Sequence, residues 1–423
     1  MKSRLIYKII ILLLILFPHS GEAQEMVSVK LVNYLGNTPS IELYLTGHYI
    51  SMDPTVTWQE GVKYSLSVKG DSFILEGNGI SQEMGSPLIL IPEKYDTHHL
   101  IRLNRKPYLG AMEFRVEDGQ WVRPVNQLPL EDYLKGVVPM EVFPSWGLET
   151  LKAQSLAART YAVTHMKKEM DDTIGFQVYG GYTWFPNTTR AVEETQGEVI
   201  TYKNRLIEAL YSASNGGITE SNAHVWGGDP IRYYPIKPDP YDPIHPWDFH
   251  VHQTQIDLNA IPWDFPAGWE AIEEQDKGVT ASMKKWLYRK GYVGDLKILG
   301  IPHFEMSEIR TSSQRAVKGS IEVEFLERLL DGTILFHKES LVDVPLSHIR
   351  PMIGGHLFKS YLIDSLTLNN GFYTMKGKGY GHGVGMSQWG AHSMGQQGKS
   401  YQDIVQFYFP GTTVSQFPIS SKK

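Results

Sequence analysis

The sequence contains no cysteine. A thiolate zinc site, a thiol nucleophile and a cysteine-dependent redox role are therefore excluded, and the fold must rest on its core without disulfides. Positive charge is also in short supply: 40 Lys and Arg face 46 Asp and Glu, a formal net charge of −6. Removing residues 1–23 takes away three bases and one acid and makes the balance more negative. Such a surface has no general attraction for phosphate backbones, which argues against nucleic acid as a partner. No apolar run after residue 23 is long enough to span a bilayer. Missing too are the phosphate loop G-x-x-x-x-G-K-[ST], the zinc-protease pattern H-E-x-x-H and the nucleophile elbow G-x-S-x-G.

What is present begins with an address. Lys2, Arg4 and Lys8 form a positive start, Ile9 to Phe17 is apolar, and Gly21-Glu22-Ala23 offers a small-residue cleavage site. That order predicts a secretory signal over 1–23, with export to the cell wall or the outer face of the membrane. Left uncleaved, the same segment would be a membrane anchor. The 423 residues suffice for two domains, and 42% hydrophobic with 20% charged residues fits a globular chain.

Residues 24–125 predict a β-rich accessory module. Val27–Val32, Ile41–Leu45 and Tyr64–Val68 alternate apolar and polar residues, and Phe73–Leu75 and Leu88–Ile91 suit short buried strands. Residues 126–415 are expected to form a second domain, with 416–423 as a tail. The overall class is α+β. Leu130–Val138 predicts a short helix ended by Pro139, followed by an apolar loop, Met140-Glu-Val-Phe-Pro144, that holds one carboxylate. Ser145 is a candidate N-cap for a helix running to about Lys168, with Leu148, Leu151, Ser155, Ala158 and Ala162 on one narrow, mostly small face.

Glu141 is the first chemical candidate. If its apolar neighbours desolvate it, its pKa rises toward the range useful to a general acid. The plain alternative is a Glu that caps the next helix or pairs with Lys135. Lys152 and Arg159 lie seven apart on the following helix and share a face, with Gln154 between them; a solvated helix face is the plain alternative. Glycine then recurs at 377, 379, 381, 383 and 385. In an extended segment that period strips one face of side chains and presents Lys378, Tyr380, His382 and Met386 on the other. The alternative is a tight structural turn. His245, His250 and His252 near Asp242 and Asp248 are too loosely spaced to predict a metal site.

Leu128–Ala162, which reads LPLEDYLKGVVPMEVFPSWGLETLKAQSLAARTYA, resembles the SpoIID/LytB family. TQGEV at 195–199, YSASNGGIT at 211–219 with Trp226, and GYGHGVGMSQWGA at 379–391 agree with it in order. The resemblance implies a lytic transglycosylase that cleaves between N-acetylmuramic acid and N-acetylglucosamine in glycan already stripped of its peptides. It implies Glu141 as the catalytic acid and base. It further implies a glycan groove lined by Lys152, Gln154, Arg159, Tyr380, His382, Met386, Ser387 and Gln388, floored by residues 377–386. No cofactor is expected. Some relatives bind zinc through His and Cys, but this chain lacks Cys and has Ala213 where His is common, so no metal is expected. Partners would be peptidoglycan glycan strands and a cell-wall amidase. The competing expectations are a non-catalytic glycan binder that enhances an amidase, and a structural wall or spore-coat protein.

Overall fold

The computed structural model describes residues 25–53, 55–260 and 268–417. The expected signal at 1–23 and most of the tail lie outside them. The chain is α+β and divides into two compact units. The first gathers the described residues up to Ala209, with Lys399–Asp403 and those from Thr412; the second takes Leu210–Gly398 and Ile404–Gly411.

The first unit is built on two six-stranded sheets. One runs in the order Met170–Asp171, Met26–Lys30, Trp121–Pro129, Ala111–Glu117, Leu88–Pro92, Tyr49–Ser51. The other runs Ile80–Met84, Ser72–Gly77, Lys63–Lys69, Ser40–Thr46, Leu100–Leu103, Lys106–Leu109. Alternation in sequence becomes alternation in burial: in Ser40–Thr46 the apolar Ile41, Leu43 and Leu45 point inward and Glu42 and Tyr44 outward. The expected domain edge at 125/126 is corrected. It falls inside Trp121–Pro129, whose Leu128 and Asn126 pair with Val27 and Val29. A strand cannot be divided between two cores while its ladder is intact, so the module and the helices after it share one unit.

Helix α1 (Leu130–Glu141) follows that strand directly, with Glu131 and Asp132 in its first turn where the helix dipole favours acids. It does not stop at Pro139. The proline lies two residues from the helix end, so it removes one late hydrogen bond, and Val142 N–H still reaches the Val138 carbonyl at 3.1 Å. Helix α2 (Leu148–His165) is capped by Gly147 rather than Ser145, which is exposed. It is buried almost all round, and Ala153, Ala157, Ala158 and Ala162 are fully enclosed, so small side chains serve several faces rather than one stripe. Helix α3 (Pro186–Glu194) packs beside it, and Glu198–Tyr202 turns through Lys203 and Asn204, both at positive φ, into Arg205–Leu206.

The second unit holds the antiparallel sheet Asp295–Met306, Lys318–Arg328, Ile334–Pro345 and a smaller one of Pro246–His252, Phe372–Lys378 and Ile363–Asn369. Its helices are α4 (Asn222–Trp226), α5 (Lys277–Lys290), α6 (Leu346–Ile353) and α7 (Gln388–Gln396). Met283 and Leu287 of α5 and Ile349 and Ile353 of α6 join Ile298, Val323, Phe325 and Met375 in one core. Among the described residues no helix is long and apolar enough to cross a membrane.

Candidate functional site

Glu141 is the last residue of α1 and is half-buried. Its Oε1 accepts the Val178 N–H at 2.9 Å. The neighbouring Gln177 is buried and fixes this segment: its Oε1 accepts the Tyr133 hydroxyl at 3.3 Å, and its Nε2 donates to the Ala158 carbonyl at 3.2 Å. The carboxylate is thus held by backbone that is itself pinned to α1 and α2. Two phenols feel its charge. Burial pushes Tyr133 up, and Glu141 adds to the effect; burial also pushes Tyr161 up, with Glu208, Asp171 and Glu141 contributing. Both remain neutral near pH 7.

The surface beside Glu141 is apolar. Met140 is 46% exposed, Phe143 58% and Phe185 46%. Phe143 leans on the buried Trp146 with ring centroids 5.6 Å apart. Trp184 lies between Tyr182, 4.8 Å away, and the Lys135 ammonium, 4.6 Å from its ring centre. Lys135 also meets Asp132 at 3.2 Å and Glu193 at 3.1 Å, so the alternative pairing of Glu141 with Lys135 is not what its ammonium shows.

The other residues expected from α2 sit differently. Lys152 directs its ammonium to Glu194 at 2.6 Å and Glu149 at 3.4 Å, which raises its pKa. Gln154 is buried. Arg159 is a correction: it is wholly enclosed, and every guanidinium nitrogen is used within the fold. Its Nε and Nη2 grip the Glu131 carboxylate, each at 2.8 Å. Nη2 also reaches the Val192 carbonyl, and Nη1 the Thr195 hydroxyl and the Glu198 carbonyl. No donor is left for a sugar. The bidentate pair fastens α1 to α2 and to the turn before Glu198.

The glycine segment belongs to the second unit and is not an extended strand. After Lys378 the chain loops, and Gly379, Gly381, Gly383 and Gly385 all take positive φ. A Cβ at Gly381 would lie 2.6 Å from that of Ser212; one at Gly383 would strike the Arg315 guanidinium and one at Gly385 the Leu210 carbonyl. The glycines are there for left-handed turns and close contact with residues 210–216. Tyr380 N–H and C=O pair with Ser214, and Met386 N–H reaches the Leu210 carbonyl. The expected common face of Lys378, Tyr380, His382 and Met386 therefore does not form. Tyr380 is 42% exposed beneath the Lys359 ammonium, whereas Met386 is core. Ser387 is buried; its hydroxyl caps α7 by accepting the Gly390 N–H and donates to Asp242 at 2.6 Å. Gln388 is buried as well.

His382 is half-buried, with its ring 5.1 Å from the exposed Trp226. Burial brings its pKa down to about 4, and the nearby Arg315 and Arg350 act in the same direction. Its Nδ1 accepts the Val384 N–H at 3.0 Å, which leaves the proton on Nε2 toward the Tyr211 backbone. The candidate metal histidines are scattered in their bonding: His250 meets Asp248 and Thr374, His252 meets Asp276, and His245 lies tilted against Trp389 with ring centroids 4.8 Å apart. Among the described residues no three metal-binding side chains gather. The Asp239 and Asp242 carboxylates, close to Ala213 in the fold, are filled by donors from Ser214, Asn215, Tyr241, Ile244, Ser387 and Tyr408.

Comparison with known proteins bears on the first of these surfaces. The family model described as Stage II sporulation protein, SpoIID, matches residues 118–202. The stage II sporulation protein D of Bacillus subtilis is 30% identical over 315 residues, covering 69% of this chain and 76% of its own. The chain belongs to the SpoIID family. The SpoIID match takes in α1, α2, α3, Glu141 and the exposed aromatic residues around it. The amidase enhancer of Bacillus subtilis is 37% identical over 389 residues, 91% of this chain, and the chain spans about half of that relative's length, 54%. A third relative, the stage II sporulation protein D of Bacillus amyloliquefaciens, is 29% identical over 319 residues, 69% of this chain and 76% of that one.

Sequence reasoning about this SpoIID chain missed Val178 as the partner of Glu141, since 37 residues separate them. It also passed over Trp184 and Phe185. The signal was in the string Tyr182-Thr-Trp-Phe185, three aromatics in four residues just before a proline-started helix. The buried acid Glu220, bonded to His224, Thr311 and Ser313, was missed for the same reason as Val178: its partners are remote in sequence.

Proposed function

We propose that this SpoIID protein is a peptidoglycan lytic transglycosylase that acts on glycan strands stripped of their peptides. The observation that carries the reading is Glu141. It stands at the open end of a helix, half-exposed, with one oxygen held by a backbone N–H and apolar side chains on its flank.

One carboxyl group is enough for this chemistry. The protonated Glu141 gives its proton to the bridging oxygen while the bond from that oxygen to the muramyl anomeric carbon breaks. The 6-hydroxyl of the same muramyl residue attacks the anomeric carbon, and the carboxylate takes the hydroxyl proton. A 1,6-anhydro ring forms, Glu141 is protonated again, and no water is consumed. A hydrolase would instead place a second carboxylate for a nucleophile or a water.

Mass analysis of digests of peptide-free glycan tests this. The wild type should release fragments whose summed mass equals that of the intact strand, ending in 1,6-anhydro-muramic acid. Glu141→Gln should lower the rate by about 10²–10⁴. Fragments heavier by the mass of one water per cut would overturn the transglycosylase reading.

A second reading is favoured by the relative named amidase enhancer, with which 37% of aligned residues agree. In that case the protein grips glycan and promotes a cell-wall amidase without cutting, and Glu141→Gln leaves amidase stimulation unchanged. Both readings place the protein outside the cytoplasm, in keeping with the signal-like residues 1–23.

A further inference from the structure

We propose that Met140, Phe143, Trp184 and Phe185 form a saccharide platform that carries the glycan rings next to the bond positioned at Glu141. The proposal rests on the reading of the substrate as peptide-free glycan; it does not rest on whether Glu141 cuts it.

Three of these side chains are between 46% and 58% exposed, on segments that hydrogen bonds tie together. Large apolar groups clustered in water mark a binding surface. The rim is also rigid. Asn187 donates to the Pro144 carbonyl at 3.2 Å, which ties the α1–α2 loop to the start of α3. Gly180 N–H reaches the Gly136 carbonyl at 2.8 Å, which ties residues 180–185 to α1. Met140 lies so close to Gly180 that a Cβ there would be 2.8 Å from its sulfur. Two of the rings have a support: Trp146 beside Phe143, and Tyr182 and Lys135 beside Trp184. A surface fixed before the ligand arrives loses little side-chain entropy on binding.

The patch adjoins Glu141, which Met140 and Phe143 flank in the chain, so its occupant is the same glycan. Pyranose rings offer flat patches of C–H groups to aromatic faces and a girdle of hydroxyls to polar neighbours. Here the flat apolar side chains are fringed by Asp132, Lys135, Glu193 and Asn187, which supply both acceptors and donors.

The experiment measures binding of amidase-stripped glycan strands to the full chain carrying Glu141→Gln, so that cleavage does not intervene. Phe143→Ala and Phe185→Ala should each weaken binding about tenfold, the loss expected when one ring contact is removed. Phe143→Trp should restore it, and the same substitutions in the wild-type background should raise KM more than they lower kcat. Thermal unfolding should be unchanged within about 2 °C, since exposed side chains are being trimmed. Glycan affinity unaltered in the double alanine variant would overturn the proposal. So would loss of amidase stimulation with glycan affinity intact, because the rim would then be a protein-docking face. If the wild type binds glycan through the rim yet never cuts it, the platform stands and the transglycosylase reading falls.

Discussion

At the scale of the residue, what distinguishes Glu141 is that its position is set by backbone. The Val178 N–H fixes one carboxyl oxygen at 2.9 Å, and the Tyr133–Gln177–Ala158 chain of hydrogen bonds fixes Val178's segment. Shortening the side chain by one methylene should therefore keep the acid and lose its placement. Glu141→Asp is expected to fold normally and to lower kcat on peptide-free glycan by about 10²-fold, since a misplacement of about 1 Å has that effect on a proton-transfer geometry. Activity within threefold of wild type, measured by release of 1,6-anhydro ends, would show that the oxygen's position is not what matters. Glu141 stood out in the sequence as a candidate because four apolar residues and two prolines surround one acid. Its partner did not, because a backbone N–H leaves no trace in residue identity.

At the scale of the element, the sequence revealed periodicity better than purpose. The alternating strands of residues 26–129 appeared where the pattern put them, because period-two burial is visible in composition alone. The alternating glycines had the same period but a different cause, four left-handed turns against residues 210–216. Arg159 is the sharper case. A seven-residue spacing to Lys152 suggested a shared ligand face, yet α2 is buried nearly all round, and a cation there had to find a carboxylate in the fold. It found Glu131. Arg159→Leu leaves that carboxylate without its partner and removes the link between α1 and α2. It should destabilise the first unit by about 3–5 kcal/mol. Urea unfolding followed by far-UV circular dichroism reads this directly. A variant as stable as wild type but deficient in glycan binding would restore Arg159 to the groove.

At the scale of the whole molecule, the two units differ in what acid does to them. The partition at Ala209 was invisible in composition, because strand Trp121–Pro129 carries residues for both the β module and the helices, and because Lys399–Asp403 and the described residues from Thr412 return to the first unit. Among the described residues, His382 and His392 are the two histidines whose pKa is depressed by burial; both lie in the second unit, His382 at about 4. Between its unfolded value of about 6.5 and about 4, the unfolded chain takes up a proton that the folded His382 ring refuses. Stability therefore falls as pH drops through that window, by about 2 kcal/mol from pH 7.5 to pH 5 for this group alone. In the first unit the corresponding group is Glu117, where burial works against ionisation but Lys30 and Arg123 override it and hold the carboxyl below its usual range. Its contribution is present above about 4.5 and is lost only at lower pH. Hydrogen exchange resolved by peptide, and corrected for the intrinsic pH dependence of exchange, should show protection declining across residues 210–398 between pH 6.5 and pH 5 while residues 26–209 hold theirs. His382→Gln should flatten the decline. Equal loss in both units, or earlier loss in the first, would contradict a histidine origin for the acid sensitivity.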